Sequence, residues 1–149
     1  MRRTATAIAL LAVAVTAACS GGSGVADAAG RARRTWAEHG PASYTFALSS
    51  SCGERALHGT FRVTVTDDAV SGVEPIDETA TNTLEWVPTA TDHVLTITQL
   101  LDRIVDAPAE VAEATFDDDG VPTHVMFDPV PAGTDDEECY DVADVRPAA

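Results

Sequence analysis

Between Val111 and Asp128 the chain reads VAEATFDDDGVPTHVMFD, two alternating runs hinged on Asp119-Gly120. Asp-Gly between alternating apolar residues is a strong hairpin signal, because both residues tolerate the left-handed backbone that a two-residue turn requires. With Asp119-Gly120 as that turn, Asp118 faces Val121 and the register follows from there. Phe116 then opposes Thr123, Ala114 opposes Val125 and Ala112 opposes Phe127, one consistent apolar face. The other face pairs Glu113 with Met126, Thr115 with His124 and Asp117 with Pro122. A hairpin with one apolar face has to bury it, so the remaining segments must supply more strands and a helical cover.

Thr96–Asp106 supplies the cover. Thr96 and Gln99 fit a capping box, in which hydroxyl and side-chain amide reciprocally satisfy free backbone N–H groups. Ile97, Leu100, Leu101, Ile104 and Val105 follow as a helical stripe, and Pro108 ends it. A first helix is expected over Val25–His39, with Ala29, Ala32 and Trp36 near helical spacing and Gly40-Pro41 as the stop. Three strands lie between the helices. Ser43–Ser49 alternates with Tyr44, Phe46 and Leu48 inward, and Thr60–Thr66 does so with Phe61, Val63 and Val65. Val70–Ile76 follows the Asp67-Asp68 turn. Pairing Val65 with Val70 sets Val63 opposite Gly72 and leaves Val73 out of phase, so a bulge is expected at Ser71-Gly72. Leu84–Pro88 reads as a short edge segment, since proline cannot sit in a central strand. Glu138–Val145 is the last strand. The expected class is α+β: an antiparallel sheet of about six strands with two helices on one face, in the order helix, three strands, helix, three strands.

The beginning of the chain has a secretory layout. Arg2-Arg3 precedes an apolar run over Ala7–Val15 that is too short to span a bilayer, and small residues lead to Cys19. Thr16–Ser20 resembles a bacterial lipobox, in which the cysteine is lipidated. Residues 1–18 are then a signal peptide, residues 19–24 a lipid-anchored Gly/Ser tether, and residues 25–149 one domain. Ordinary cleavage after Ala26-Asp27-Ala28, releasing a soluble secreted protein, is the alternative. Cysteine arithmetic favours lipidation. Of Cys19, Cys52 and Cys139, an exported protein with a lipid on the first is left with one pair. Cys52 ends the first strand and Cys139 opens the last, so a bridge requires those strands to be antiparallel neighbours. The sheet order becomes 3-2-1-6-5-4. The bridge closes a loop of nearly ninety residues, a constraint of roughly 4 kcal/mol in the chain-entropy model.

The charge narrows the function classes. Without residues 1–18, seven arginines, no lysine and 24 acidic residues leave a net −17. A broad nucleic-acid-binding face is excluded, whereas a cation or a basic partner is compatible. Asp117, Asp118 and Asp119 are the candidate metal ligands, with calcium as the ion, because hard cations take carboxylate oxygens; Asp135–Glu138 is a second acidic concentration. Asp128 lies at the far end of its strand from the hairpin tip, too far to share an ion with Asp118 and Asp119. The spacing does not fit an EF-hand loop, and turn-forming aspartates explain the same residues. No Gly-x-Ser-x-Gly, His-Glu-x-x-His or phosphate-cradling loop is present, and His124 opposite Thr115 is offered only a hydroxyl. The expectation leans away from an enzyme, and no catalytic residue is assigned.

Several of these segments together resemble a bacterial family of exported or lipid-anchored proteins known as domain of unknown function 6174. Trp36, Tyr44-Thr45-Phe46 followed by Cys52, Val63-Thr64-Val65 with its turn, and Thr96–Asp106 carry the resemblance. So do Gly120-Val121-Pro122-Thr123 running to Phe127-Asp128, and Asp135-Asp136-Glu137. Here a single Cys52 stands where members often have Cys-x-Cys, and Gly-Val-Pro-Thr stands for Gly-Tyr-Pro-Thr. The resemblance implies an exported one-domain fold and supplies no activity. The expected function is a cell-envelope lipoprotein acting as a binding or interaction module on the outer face of the bacterial membrane. It is anchored through Cys19, with an envelope protein as a possible partner. The alternatives are a structural or stress-related envelope protein, a weak calcium binder and a hydrolase-type enzyme.

Overall fold

The computed structural model describes residues 21–131, 133 and 135–148. The leader and Cys19 lie outside the described residues. Helix α1 spans Gly21–His39, and three strands follow: β1 (Tyr44–Ser50), β2 (Gly59–Thr66) and β3 (Ala69–Pro75). Helix α2 (Glu78–Trp86) and a single-turn helix at Ala90–His93 lead to α3 (Ile97–Asp106). After a short turn at Pro108–Glu110 come β4 (Val111–Phe116), β5 (Pro122–Phe127) and β6 (Glu138–Pro147). All strands pair antiparallel in the order β3-β2-β1-β6-β5-β4, the order the cysteines require. Cys52 and Cys139 form a disulfide with Cα atoms 5.3 Å apart.

The expected helix, three strands, helix, three strands is present, with one helix more than its periodicity announces. Leu84–Pro88 is not an edge strand: Glu78–Trp86 is helical, capped by Asp77. One Asp77 oxygen accepts from the Ala80 N–H (2.7 Å) and the other from the Thr60 N–H of β2 (2.9 Å). The helix was hidden because it buries only Ala80 and so carries almost no apolar stripe. Helix α1 begins at Gly21, four residues before the expected start, so Gly21–Gly24 is helical rather than a flexible tether. Extension from an established helix gains one hydrogen bond per residue without a new nucleus, which offsets the low propensity of glycine.

The core forms between the helices and the sheet face bearing Tyr44, Phe46, Leu48, Phe61, Val63, Val65, Val125 and Phe127, all buried. Trp36 meets Tyr44 edge-on at 5.3 Å and donates its indole N–H to the Thr98 hydroxyl. The capping box of α3 is complete: Thr96 Oγ1 accepts from the Gln99 N–H and Gln99 Oε1 accepts from the Thr96 N–H. The Tyr44 hydroxyl accepts from the Ile97 N–H at 3.0 Å, tying the helix start to β1. Between β2 and β3, Val65 opposes Val70 and Thr64 opposes Gly72, which places the bulge at Ser71 as expected.

The β4–β5 hairpin keeps its expected register in the middle, with Thr115 opposite His124, Glu113 opposite Met126 and Ala114 opposite Val125. Its ends differ. The loop has three residues, Asp118–Gly120, because Asp117 closes it instead of extending the strand. Asp117 Oδ1 accepts from the N–H groups of Asp119 and Val121, and the Asp117 N–H donates to the Val121 carbonyl. Phe116 therefore opposes Pro122, and a bulge at Thr123 restores the register. A second irregularity at Ala112 puts Val111 opposite Phe127 and leaves Ala112 exposed. Gly120 has φ +82° and is pressed against α1, where a Cβ would overlap the Ala32 carbonyl oxygen.

Candidate functional site

The helical layer is incomplete over one end of the sheet. Between α3 and the Ala90–His93 turn, the end of β1 and the start of β6 floor a cleft of about 360 Å³. Leu48, Leu57 and Leu95 make its apolar walls, and Glu54, Asp92 and His93 stand exposed at its mouth. On its inner wall four polar side chains converge. Glu138, 6% exposed, accepts two hydrogen bonds from the Arg103 guanidinium, each 2.7 Å, and one from the Tyr140 hydroxyl at 2.7 Å. Arg55 Nη2 lies 2.9 Å from the same carboxylate. The Arg103 guanidinium also stacks 3.9 Å from the centroid of Phe127.

The chain places these groups by two means. Arg103 projects from α3, whose apolar stripe fixes the rotation of the helix on the sheet. Arg55 sits on the loop after Cys52, which is fastened to the segment before β6. The Glu54 N–H donates to the Asp135 carbonyl at 3.0 Å, Arg55 Nη2 to the Asp136 carbonyl at 2.8 Å, and the disulfide closes the seam. Gly53 makes this approach feasible: its φ is +71°, and a Cβ there would overlap the Glu137 carbonyl oxygen.

The electrostatics follow from burial and pairing. Burial alone would push the Glu138 carboxyl up, but the Arg103 and Tyr140 hydrogen bonds, with the charges of Arg103 and Arg55, hold it below its ordinary range. The bond to Glu138 raises Arg103 against the opposing effect of burial. Tyr140 is pushed up to about 12, first by burial and then by its hydrogen bond to Glu138, so its hydroxyl keeps the proton it donates. Two guanidiniums share one carboxylate on this wall, and Glu54 and Asp92 at the mouth bring the lining to three acids against two arginines.

The sequence-derived candidates fare differently. Cys52 and Cys139 are joined. Asp117 is engaged by backbone N–H groups, while Asp118 and Asp119 are exposed. Among the described residues no three His, Cys, Asp or Glu side chains come together to hold a metal ion. His124 has more than a hydroxyl beside it: its Nδ1 lies 2.7 Å from the Asp141 carboxylate of β6, on the uncovered face of the sheet. A depression of about 660 Å³ between Trp36 and the hairpin tip is larger than the cleft, but Asp117, Asp119 and Asp144 on its rim are exposed. The Arg55–Arg103–Glu138–Tyr140 group went unread in the sequence. One signal was present, since Arg55 follows Cys52 by three residues and Glu138 precedes Cys139 by one, so the expected disulfide already brought them together.

No curated protein and no solved structure matches this chain. A family model described as a family of unknown function, DUF6174, does match, over residues 28–147. That span takes in every strand, helices α2 and α3, most of α1, both disulfide cysteines and the whole cleft, so the chain belongs to DUF6174.

Proposed function

We propose that the protein is a cell-envelope lipoprotein that works as a binding module, held to the outer face of a bacterial membrane by lipid on Cys19 and receiving its ligand in the cleft beside Glu138. The observation that carries this reading is the cleft itself. Buried, mutually oriented charged groups on one wall and apolar side chains on the other are how small-molecule sites combine orientation with affinity. The volume, about 360 Å³, lies at the small end of the range for such sites. A disulfide across the seam suits an oxidising compartment. It also accounts for two of the three cysteines and leaves Cys19 for the anchor. In membrane fractionation of the producing cells, Cys19→Ser is expected to move the protein from membrane to medium; unchanged membrane association overturns the anchor. For the cleft, Leu95→Arg puts a long cation at its wall and is expected to abolish ligand capture; Leu95 also packs against the core, so the variant's fold is checked by near-UV circular dichroism, and undiminished capture by the folded variant overturns the site.

A further inference from the structure

We infer that the depression between Trp36 and the tip of the β4–β5 hairpin is a docking groove for a basic segment of a partner protein, one that carries an arginine or lysine beside an apolar residue. This surface is separate from the cleft beside Glu138 and does not depend on it. Charge complementarity is the first reason. Asp117, Asp119 and Asp144 stand on the rim, and among the described residues no lysine or arginine lines the groove. Arg146 is the nearest competitor, 3.8 Å from Asp144, but both side chains are more than half exposed, so the pair is weak and easily exchanged for another cation. Arg31 stands in a different depression, with Asp117 and Asp118. His39 is exposed at the edge of the groove. A net charge of −15 adds a long-range field that draws a basic partner in.

The floor is the second reason. Trp36, Val121 and Val142 reach it from the core, and Pro41, Val145 and Pro147 border it. An apolar centre within a charged, solvent-exposed rim is the anatomy of a protein interface. The carboxylates are exposed and hold no enclosed space, so they suit a side chain offered from outside better than a small molecule or a caged ion. About 660 Å³ of open volume has room for the stem of a long basic side chain and an apolar neighbour. The rim is also fixed beforehand. Asp117 Oδ1 holds the hairpin tip through the Asp119 and Val121 N–H groups, and Gly120 is pressed against α1 at Ala32. Asp119 is therefore presented by a rigid turn, which lowers the ordering cost of docking.

The test is an NMR titration of the 15N-labelled full chain with the peptide acetyl-Gly-Arg-Val-Arg-Gly-amide. Two controls carry citrulline for both arginines or serine for the valine. The parent peptide is expected to shift the Val121, Thr123 and Val145 amides saturably, to bind at least about fivefold more tightly than either control, and to weaken as salt rises. Asp119→Asn combined with Asp144→Asn is expected to weaken it about fivefold, and asparagine tolerates the φ of +53° at position 144. Asp117 is left unaltered because it holds the tip. Glu74→Gln combined with Glu85→Gln removes the same charge from β3 and α2, outside the groove, and is expected to leave binding unchanged. Equal binding of the citrulline peptide overturns the basic partner. Equal binding of the serine peptide, or equal weakening by the Glu74 and Glu85 pair, shows general attraction to an acidic chain and overturns the groove. Absence of a saturable shift overturns the inference outright, and the cleft beside Glu138 is untouched by any of these results. The peptide comparison on the unaltered chain decides the matter even where a variant folds poorly.

Discussion

Glu138 shows at the residue scale how one buried carboxylate can organise a site. Its hydrogen bonds to Arg103 and Tyr140 and its contact with Arg55 compensate for the desolvation of the charge. Removing one cation leaves that charge under-compensated. Arg103→Ala is therefore expected to destabilise the protein by about 3 kcal/mol, at the lower end for buried pairs because Arg103 is 28% exposed. Urea denaturation measures it, and a loss below about 1 kcal/mol, the range of a surface pair, contradicts the account. The pH dependence has a definite sign on both sides. Glu138 is lowered from its ordinary 4.5, so its contribution is fully present above that value and is lost as pH falls through the lowered one. Tyr140 is raised from 10.0 to about 12, so its contribution is present below 10.0 and declines as pH rises toward about 12. Melting temperature against pH is expected to fall at both ends, and Glu138→Gln to flatten the acid limb; an unchanged acid limb contradicts the assignment. The sequence displayed each of these residues, yet no local pattern joins positions 55, 103 and 138.

At the scale of the element, legibility followed the apolar stripe and the cap. Helix α3 has both, and its capping box and buried face are as the sequence predicts. Thr96 is itself 1% exposed and its hydroxyl caps its own helix turn, so Thr96→Ala is expected to cost about 1 kcal/mol in chemical denaturation. A neutral result would mean that Tyr44 alone holds the helix start. Helix α2 has a cap but no stripe: Asp77 joins it to β2, and Trp86 at its end is 84% exposed. Periodicity could not reveal a helix that buries one alanine. The hairpin is intermediate. Alternation identified its faces and its central register, while the tip was decided by the Asp117 side chain, which bonds two backbone N–H groups and lengthens the loop by one residue. The bulge at Thr123 absorbs that residue.

On the scale of the whole molecule, the disulfide joins the two halves of the sheet. Cys52 and Cys139 are separated by 87 positions, and their strands β1 and β6 are the central pair on which β2–β3 and β5–β4 are laid. Loop-closure entropy assigns the bridge roughly 4 kcal/mol. Reduction is expected to lower the denaturation midpoint accordingly and, because the bridge also clamps the Arg55 loop to the start of β6, to increase amide exchange first at Gly53–Arg55. Uniform loss of protection across the sheet would show that the seam has no separate role. The α+β class, six-stranded sheet and strand order were all legible, because alternation and a cysteine pair each impose a long-range constraint that survives projection onto one dimension.

Local rules determined α3, the strand faces and the bulge at Ser71, because each depends on residues within a few positions of one another. The cysteine pair added the strand order, since a covalent bridge restricts which strands can be neighbours. Only the tertiary structure decided that α2 exists, that the hairpin tip lies against α1 and that the helical layer stops short of Glu138. It alone brought Arg55, Arg103, Glu138 and Tyr140 together. The physical reason is that burial and charge pairing act through space: a carboxylate next to a cysteine in the chain becomes the centre of an ion cluster only once α3 has docked and the Cys52 loop has closed over it.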